Sequence, residues 1–139
     1  MHSEIMKQIL LCIVLGFVFV SCSVIYAAGH ELTPTYPEIK ESHIAGVYVV
    51  KLQTLNRRED VSFFEIQVLD KDMKPLMFAT TDRIISLPHL SRKNFSVYVR
   101  KKDVKQVVYV CTVSKLNRLQ NVENNANTVI SSKVCSKIK

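Results

Sequence analysis

The chain has few of the residues on which enzyme motifs depend. It contains no Trp and only three Gly, and beyond residue 28 only Gly29 and Gly46 remain. Phosphate-binding loops and nucleophile elbows need several glycines at fixed spacings, because their backbones turn sharply or approach a ligand closely. The sequence therefore excludes these nucleotide-binding and hydrolase motifs.

Metal ligands at suitable spacings are also missing. Neither Cys111 nor Cys135 has a second Cys or a His close by in the sequence, as a zinc site requires. Asp70 and Asp72, with Glu65 before them, offer the oxygen ligands that calcium prefers. Lysines interrupt this cluster, which favours turn-forming aspartates instead. We expect neither a metal nor another cofactor.

The histidines show no catalytic pattern. His30, His43 and His89 are scattered and have no acidic partner at helical or strand spacing, so we interpret them as surface or loop residues. No nucleophile with a neighbouring base is visible. The sequence predicts a chain without catalytic residues, that is, not an enzyme.

Residues 9–28 carry no charge. Their length of about 20 residues would let a helix cross a bilayer about 30 Å thick. The most apolar part is followed by smaller, more polar residues, which is typical of a signal peptide cleaved after Ala27 or Ala28. Two alternatives stay open. One is a retained membrane anchor, and the other is lipid attachment at Cys22, because residues 19–22 resemble a bacterial lipoprotein processing site.

The compartment determines how the cysteines are interpreted. Cys12 and Cys22 lie in the apolar segment, which leaves Cys111 and Cys135. In an oxidising compartment an isolated pair predicts one disulfide. Closing a loop of this length would stabilise the domain by about 3 kcal/mol in the chain-entropy description.

From residue 46 onward the chain has the pattern of an all-β protein. Segments of β-branched and aromatic residues recur at roughly ten-residue spacing and are separated by polar turns. Residues 61–69 alternate between apolar and polar, and residues 75–80 are expected to pair with them as a hairpin. Because no long amphipathic helix is visible, the pattern predicts an antiparallel sandwich or barrel.

The chain divides into three parts. Residues 1–28 are expected to form an N-terminal hydrophobic helix that serves as the signal peptide or membrane anchor. Residues 29–45 contain two prolines and predict an extended lead-in. Residues 46–139 form a single β-sandwich domain that includes a disulfide-tethered C-terminal tail.

The tail, residues 117–139, allows two interpretations. A hairpin that places Cys111 opposite Cys135 centres its turn at Glu123, beside two turn-forming asparagines. The alternative is a helix at residues 115–123, with the second cysteine only tethered. We favour the hairpin.

The net charge of +7 favours acidic partners such as anionic lipid, acidic glycans or nucleic acid. The basic residues fall in turns separated by one strand, so we expect them at opposite ends of a sandwich, where they also fit solvated turn charges. Because few aromatic residues lie between them, nucleic acid is an unlikely partner. The candidate contacts are Arg92, Lys93, Arg100, Lys101, Lys102 and Lys105.

Residues 85–90 and 95–100 resemble part of a fibronectin type III or immunoglobulin-like domain. A strand ends in a Leu, a short loop follows, and an aromatic residue begins a strand with alternating Val. In this resemblance Phe95 takes the place of the corner Tyr, and the usual Trp is absent. The resemblance implies a mainly β fold, an antiparallel immunoglobulin-like β-sandwich of about seven strands, and roles in adhesion, assembly or recognition.

These observations predict an exported, non-enzymatic binding or assembly module, either periplasmic or secreted, whose partner is another envelope or cell-surface protein. Membrane contact is expected only if residues 1–28 or a lipid on Cys22 are retained. One alternative is a basic domain that binds anionic glycans, lipid or nucleic acid. Another is a small exported hydrolase or inhibitor.

We expect the exported protein to begin at Ala28 or Gly29 and to contain one disulfide. The intact mass of the protein isolated from its native compartment measures cleavage, lipid and disulfide together. A mass that includes residues 1–28, or a lipid on Cys22, would contradict the cleaved signal peptide.

Overall fold

The computed structural model describes residues 1–10, 29–115 and 131–139. From residue 29 onward the described residues form eight strands and one short 3-10 helix. They are β1 (His30–Thr33), β2 (Lys40–Glu41), β3 (Val47–Asn56), β4 (Phe63–Leu69), β5 (Ile84–Ser86), β6 (Arg92–Arg100), the 3-10 helix (Lys101–Gln106), β7 (Tyr109–Lys115) and β8 (Lys133–Lys137).

The strands form two antiparallel sheets. In the first sheet β3 pairs along its length with β6, and its other side pairs with β1 and β2. In the second sheet the order is β5-β4-β7-β8. The predicted fold class, a mainly β antiparallel sandwich, is confirmed.

The core lies between the sheets because the strands alternate with period two. Phe64 and Ile66 of β4, Val50 of β3 and Val97 and Val99 of β6 are at most 1% exposed. Burying each such side chain contributes about 1.5–3 kcal/mol. The alternation that was visible in the sequence therefore positions both sheets.

The division of strands is that of an immunoglobulin-like sandwich. In that fold the strands are lettered A to G, and strands B and E share one sheet while C, F and G share the other. Here β3 corresponds to strand B, so β6, which pairs with β3, corresponds to strand E. The assignment of Phe95 to the corner Tyr position was therefore wrong. In that pattern the corner Tyr belongs near the start of the following strand, β7, which begins at Tyr109.

The lead-in belongs to the sandwich. Residues 29–45 are mostly extended, as expected, but β1 and β2 pair with β3, so the first sheet begins at His30 rather than at residue 46. After β1 the chain crosses to the second sheet, where the carbonyls of Thr35 and Pro37 accept hydrogen bonds from Lys137 and Lys139. This segment closes one side of the sandwich.

Residues 75–80 do not form the expected full hairpin with β4. They begin beside β4, with a bridge from Leu69 to Pro75, and then cross to the first sheet, where Ala79 pairs with Tyr98 of β6. Pro75 has no N–H to donate, but the Leu76 N–H still donates to the Val68 carbonyl at 2.8 Å, so a short hairpin forms before the chain leaves β4.

The tail returns as the predicted hairpin strand. In β8, Cys135 lies opposite Cys111 and Lys137 lies opposite Tyr109, and the two sulfurs are bonded at 2.05 Å. The predicted disulfide and register are therefore present. The predicted turn centre at Glu123 lies outside the described residues.

Much of the N-terminal segment also lies outside the described residues, including Cys22. Residues 2–10 are helical. No helix in the described ranges has both the length and the apolar character that crossing a bilayer requires.

The strands run between two ends of the sandwich, the junction end and the far end. The junction end contains Gly29, the loops after β3 and β5, the last residue of β7 and the first of β8. The far end contains residues 42–46, 70–74, the 3-10 helix and residues 137–139.

Replacing Cys111 and Cys135 together by Ala should lower the free energy of unfolding by about 3 kcal/mol, because the bond closes a loop of 24 residues in the unfolded chain. Denaturant unfolding of the variant and the oxidised protein measures this difference. An unchanged unfolding midpoint would contradict the assignment of the disulfide as a major constraint on the chain.

Candidate functional site: sheet edges and a buried polar cluster

A cluster of polar side chains, most of them buried, lies at the junction end. Its members come from β1, the last residue of β3, the loop after β3, β7 and the residue before β8, and we call it the polar cluster. They are His30, Asn56, Arg58, Asp60, Thr112 and Ser132. The Asp60 side chain is the exposed member, at 46%. Polar groups removed from water must find hydrogen-bond partners inside the protein, so each contact has a structural consequence.

His30 connects three elements of the cluster. Its side chain packs against Phe64 with ring centroids 4.6 Å apart, and the residue is only 5% exposed. Nε2 lies 2.8 Å from the Thr112 hydroxyl and 3.0 Å from the Thr112 carbonyl. Because a carbonyl only accepts, we assign the proton to Nε2. Nδ1 then accepts a hydrogen bond from the Ser132 hydroxyl at 3.0 Å.

Arg58 and Asn56 hold the loop after β3. The Arg58 guanidinium binds both carboxylate oxygens of Asp60, at 2.8 and 2.6 Å, and donates to the Ser132 hydroxyl at 3.2 Å. The Asn56 amide donates to the carbonyls of Val61 and Leu87. The cluster thereby connects β1 and β7 with two loops and the start of β8.

Two side chains of the cluster, His30 and Asp60, have shifted pKa values. Burial lowers the pKa of His30 below its ordinary 6.5, and the positive charge of Arg58 adds to this, while the hydrogen bond to the Thr112 carbonyl opposes it. The hydrogen bond from Arg58 lowers the pKa of Asp60 below its ordinary 3.8. His30 is therefore neutral and Asp60 ionised near pH 7.

A serine hydrogen-bonded to a histidine is also the first part of a nucleophile-and-base pair. Here the other nitrogen of His30 faces Thr112 rather than a carboxylate. The Ser132 hydroxyl oxygen also accepts a hydrogen bond from the Arg58 guanidinium. The geometry accounts for this pair as an internal connection between strands.

The interpretation of His30 as a surface or loop residue was wrong. In the structure His30 and Leu32 of β1 are buried, and Glu31 between them is exposed. A single polar residue in a short strand was not a sufficient signal, because its partners Thr112 and Ser132 are 82 and 102 residues away in sequence.

The outer edge of β6 is open over part of its length. At Tyr98 it exchanges two hydrogen bonds with Ala79, at 2.8 and 2.9 Å, and the Ser96 carbonyl accepts from the Thr80 hydroxyl. Alternate residues of a strand direct their backbone groups to the same edge. Arg92 and Asn94 therefore direct their N–H and C=O groups outward, where no strand of the described residues lies.

The second sheet has edges at β5 and β8. The outer edge of β8 is covered by residues 35–37 near Lys137 and Lys139. In the described residues no strand pairs with the part at Lys133 and Cys135, although β1 lies close to β8. Strand β5 is only three residues long. Short or charged edges of this kind resist unwanted pairing.

The predicted basic contacts fall at the two ends of β6. Arg92 and Lys93 lie at the junction end, and eight residues of strand, about 27 Å, separate Arg92 from Arg100 at the far end. Lys101, Lys102 and Lys105 belong to the 3-10 helix. Among the described residues, no three His, Cys, Asp or Glu side chains are grouped so that they could hold a metal.

The fold resembles that of a solved protein. The crystal structure of the periplasmic chaperone SfaE matches with a TM-score of 0.50 at 13% sequence identity, over 80% of this chain and 56% of that chain. The chain thus spans about half the length of the structure that it matches, and the match shows a shared fold. It supports the immunoglobulin-like part of the expected resemblance, and no type III feature is shown. No family model matches the chain, and no curated protein matches its sequence.

The polar cluster predicts a specific loss of stability in mild acid. Unfolded His30 titrates near its ordinary 6.5 and folded His30 at a lower pH, so between these values the unfolded chain binds more protons. The free energy of unfolding should therefore decrease as the pH falls below about 6.5. Denaturant unfolding at a series of pH values measures this decrease.

His30→Gln should flatten that pH dependence, because the side chain no longer titrates. His43→Gln changes an exposed histidine and is the matched control, which should retain the dependence of the unmodified protein. Equal pH profiles for the two variants would show that His30 is not the source of the pH dependence of stability.

Proposed function

We propose that this chain is an exported, non-enzymatic binding or assembly module that recognises another envelope or cell-surface protein by pairing with the open edge of β6. The observation that carries the proposal is the outward backbone of Arg92 and Asn94, beside a stretch of edge that is already paired at Tyr98. An extended segment that adds to such an edge gains a ladder of backbone hydrogen bonds.

The position of residues 79–80 supports this mode of binding. Ala79 pairs antiparallel with Tyr98, and Thr80 donates to Ser96, so the edge accepts an extended partner without moving β6. A bound segment would continue the same line toward Arg92. The exposed Arg92 at this end, which forms no ion pair within the described residues, would favour a partner segment with an acidic side chain.

The compartment is proposed on two grounds. A disulfide with a fully buried Cys111 is typical of proteins that fold outside the cytosol, and the fold is shared with a periplasmic chaperone. By analogy we propose a periplasmic or secreted location and a role in handling or assembling other envelope proteins. This role rests on fold likeness and is an analogy rather than a property of the site.

A pair of substitutions at one position tests the edge. Asn94→Pro removes the outward N–H and places a ring where the partner strand would lie, but it leaves the pairing with β3 unchanged. Asn94→Ala keeps the N–H and removes only the side chain, which accepts a hydrogen bond from Gln53 at 2.9 Å. The two variants differ in the backbone donor.

A photo-crosslinking amino acid at Arg92, in cells that export the full chain, provides the measurement. We expect a crosslinked protein whose yield falls roughly tenfold in Asn94→Pro, about the effect of losing one or two backbone hydrogen bonds. The yield should stay close to normal in Asn94→Ala. Equal yields in both variants would exclude strand pairing at β6.

The open part of β8 is the second candidate edge, and Lys133→Pro against Lys133→Ala tests it in the same way. An effect there and none at Asn94 would move the binding site to the second sheet. A protein that yields no crosslinked partner from either edge would contradict the proposed function.

A further inference from the structure

The far end of the sandwich carries a group of lysines with no acidic partner. These side chains are exposed, and within the described residues none of them forms an ion pair within 4.0 Å. They are Lys71, Lys74, Lys101, Lys102, Lys105 and Lys137.

Backbone contacts bring these lysines to one surface. The N–H of Lys101 donates to the carbonyl of Gly46, so the start of the 3-10 helix lies beside the turn at 42–46. The N–H of Val108 donates to Leu69, and Ile138 donates to Val108, so the 70–74 turn and the last residues meet the end of the 3-10 helix. We call this surface the basic end.

Acidic residues at the basic end offset only part of its positive charge. Glu41, Asp70 and Asp72 carry three negative charges there, against the six lysines. Asp103 binds Arg100 at 2.9 Å, and Glu38 lies between Lys40 and Lys139. The Asp70 carboxylate accepts the N–H groups of Asp72 and Lys74 and thereby forms the turn. The lysines therefore remain the dominant charges that face the solvent.

The junction end differs. There the cations are mostly paired: Arg57 with Glu31 at 3.0 Å, Lys115 with Glu65 at 2.7 Å, and Lys93 with Asp82 at 3.7 Å. Only Arg92 and Lys133, among the described residues of that end, have no such partner. Among the described residues, the cations without an ion pair are thus concentrated at the end opposite Gly29. Gly29 is the residue at which residues 1–28 join the domain.

Two large apolar side chains project among the lysines. Ile44 is 59% exposed at the tip of the 42–46 turn, and Met73 is 45% exposed between Lys71 and Lys74. A soluble polyanion gives such side chains no favourable environment, whereas the interface of a lipid bilayer accepts them. Lysines around an apolar tip would meet anionic headgroups at the same depth.

From this arrangement we propose that the basic end docks on a bilayer that contains anionic phospholipid, with Ile44 and Met73 inserted between the headgroups. This contact is distinct from any attachment through residues 1–28, which join at the opposite end, and it does not use the β6 edge. A protein tethered to one membrane through residues 1–28 would present the basic end away from that membrane, toward a second surface.

The absence of Trp from the chain allows a direct test of depth and orientation. Ile44→Trp and Leu90→Trp each introduce a single reporter, at sites 59% and 65% exposed and at opposite ends. The protein is isolated with its natural N-terminus and mixed with phosphatidylcholine vesicles that contain or lack phosphatidylglycerol. For Ile44→Trp we expect the tryptophan fluorescence to shift to the blue and to be quenched by brominated lipid, but only with vesicles that contain phosphatidylglycerol. For Leu90→Trp we expect no change in fluorescence.

Charge variants provide the second arm. Lys101→Gln, Lys102→Gln and Lys105→Gln together should weaken vesicle binding roughly 100-fold, since each lysine near an anionic surface contributes about a fivefold factor. The matched control replaces Arg92, Lys93 and Lys133 by Gln and should bind nearly as well as the unmodified protein. Raising the salt from about 0.1 to about 0.5 M should weaken binding by the basic end, but not insertion of residues 9–28.

Three outcomes would overturn the proposal. The first is equal binding by the two triple variants, and the second is a shift at Leu90→Trp instead of Ile44→Trp. The third is an Ile44→Trp reporter that responds to a soluble sulfated polysaccharide and not to vesicles, which would identify the surface as a polyanion site. None of these outcomes bears on the Asn94 variants, so the docking surface and the strand-pairing function fail separately.

Discussion

The disulfide between Cys111 and Cys135 fixes the register in which the last strand lies beside β7. With these two residues opposite each other, Ser132 falls beside Ser114, whose hydroxyl accepts the Ser132 N–H at 2.8 Å. The Ser132 hydroxyl then reaches His30 of β1. A slip by one residue would turn every side chain of β8 to the other face, and both His30 and Arg58 would lose a partner. The covalent bond, the polar cluster and the first strand therefore depend on one register.

Two segments that change sheets determine which edges of the sandwich stay open. Residues 34–37 pass from β1 to the outer side of β8, and residues 75–80 pass from β4 to the outer side of β6. Each covers only part of the edge that it reaches. Unpaired backbone is a liability that proteins normally cover or charge. Among the described residues no strand covers the edge at Asn94. The charge of the neighbouring Arg92 opposes unselective pairing there and still admits a complementary segment.

The sequence predicted what depends on local repetition, and it missed what depends on distant partners. Period two placed β3, β4, β6 and β7, because burial on one face requires it. The spacing of two cysteines and a pair of asparagines predicted the register of β8. The burial of His30 could not be predicted, since its partners lie in β7 and before β8. The paths of residues 34–37 and 75–80 could not be predicted either. A proline lacks the N–H that strand pairing uses, but it does not indicate which sheet the chain joins next.

The two ends of the sandwich use their charges differently, and this difference follows from how their turns are held. At the junction end the loop after β3 is held by side chains, with Arg58 on Asp60 and Asn56 on two carbonyls, so its charges are consumed by structure. At the far end the turns are held by backbone bonds, such as Lys101 to Gly46, and by the Asp70 carboxylate, which accepts the N–H groups of Asp72 and Lys74. No lysine side chain of the described residues takes part in these bonds. The lysines there contribute little to the fold, because exposed charges without partners add almost nothing to stability. A surface whose charges are not needed for folding is available for binding, and in this chain that surface lies opposite the point where residues 1–28 join.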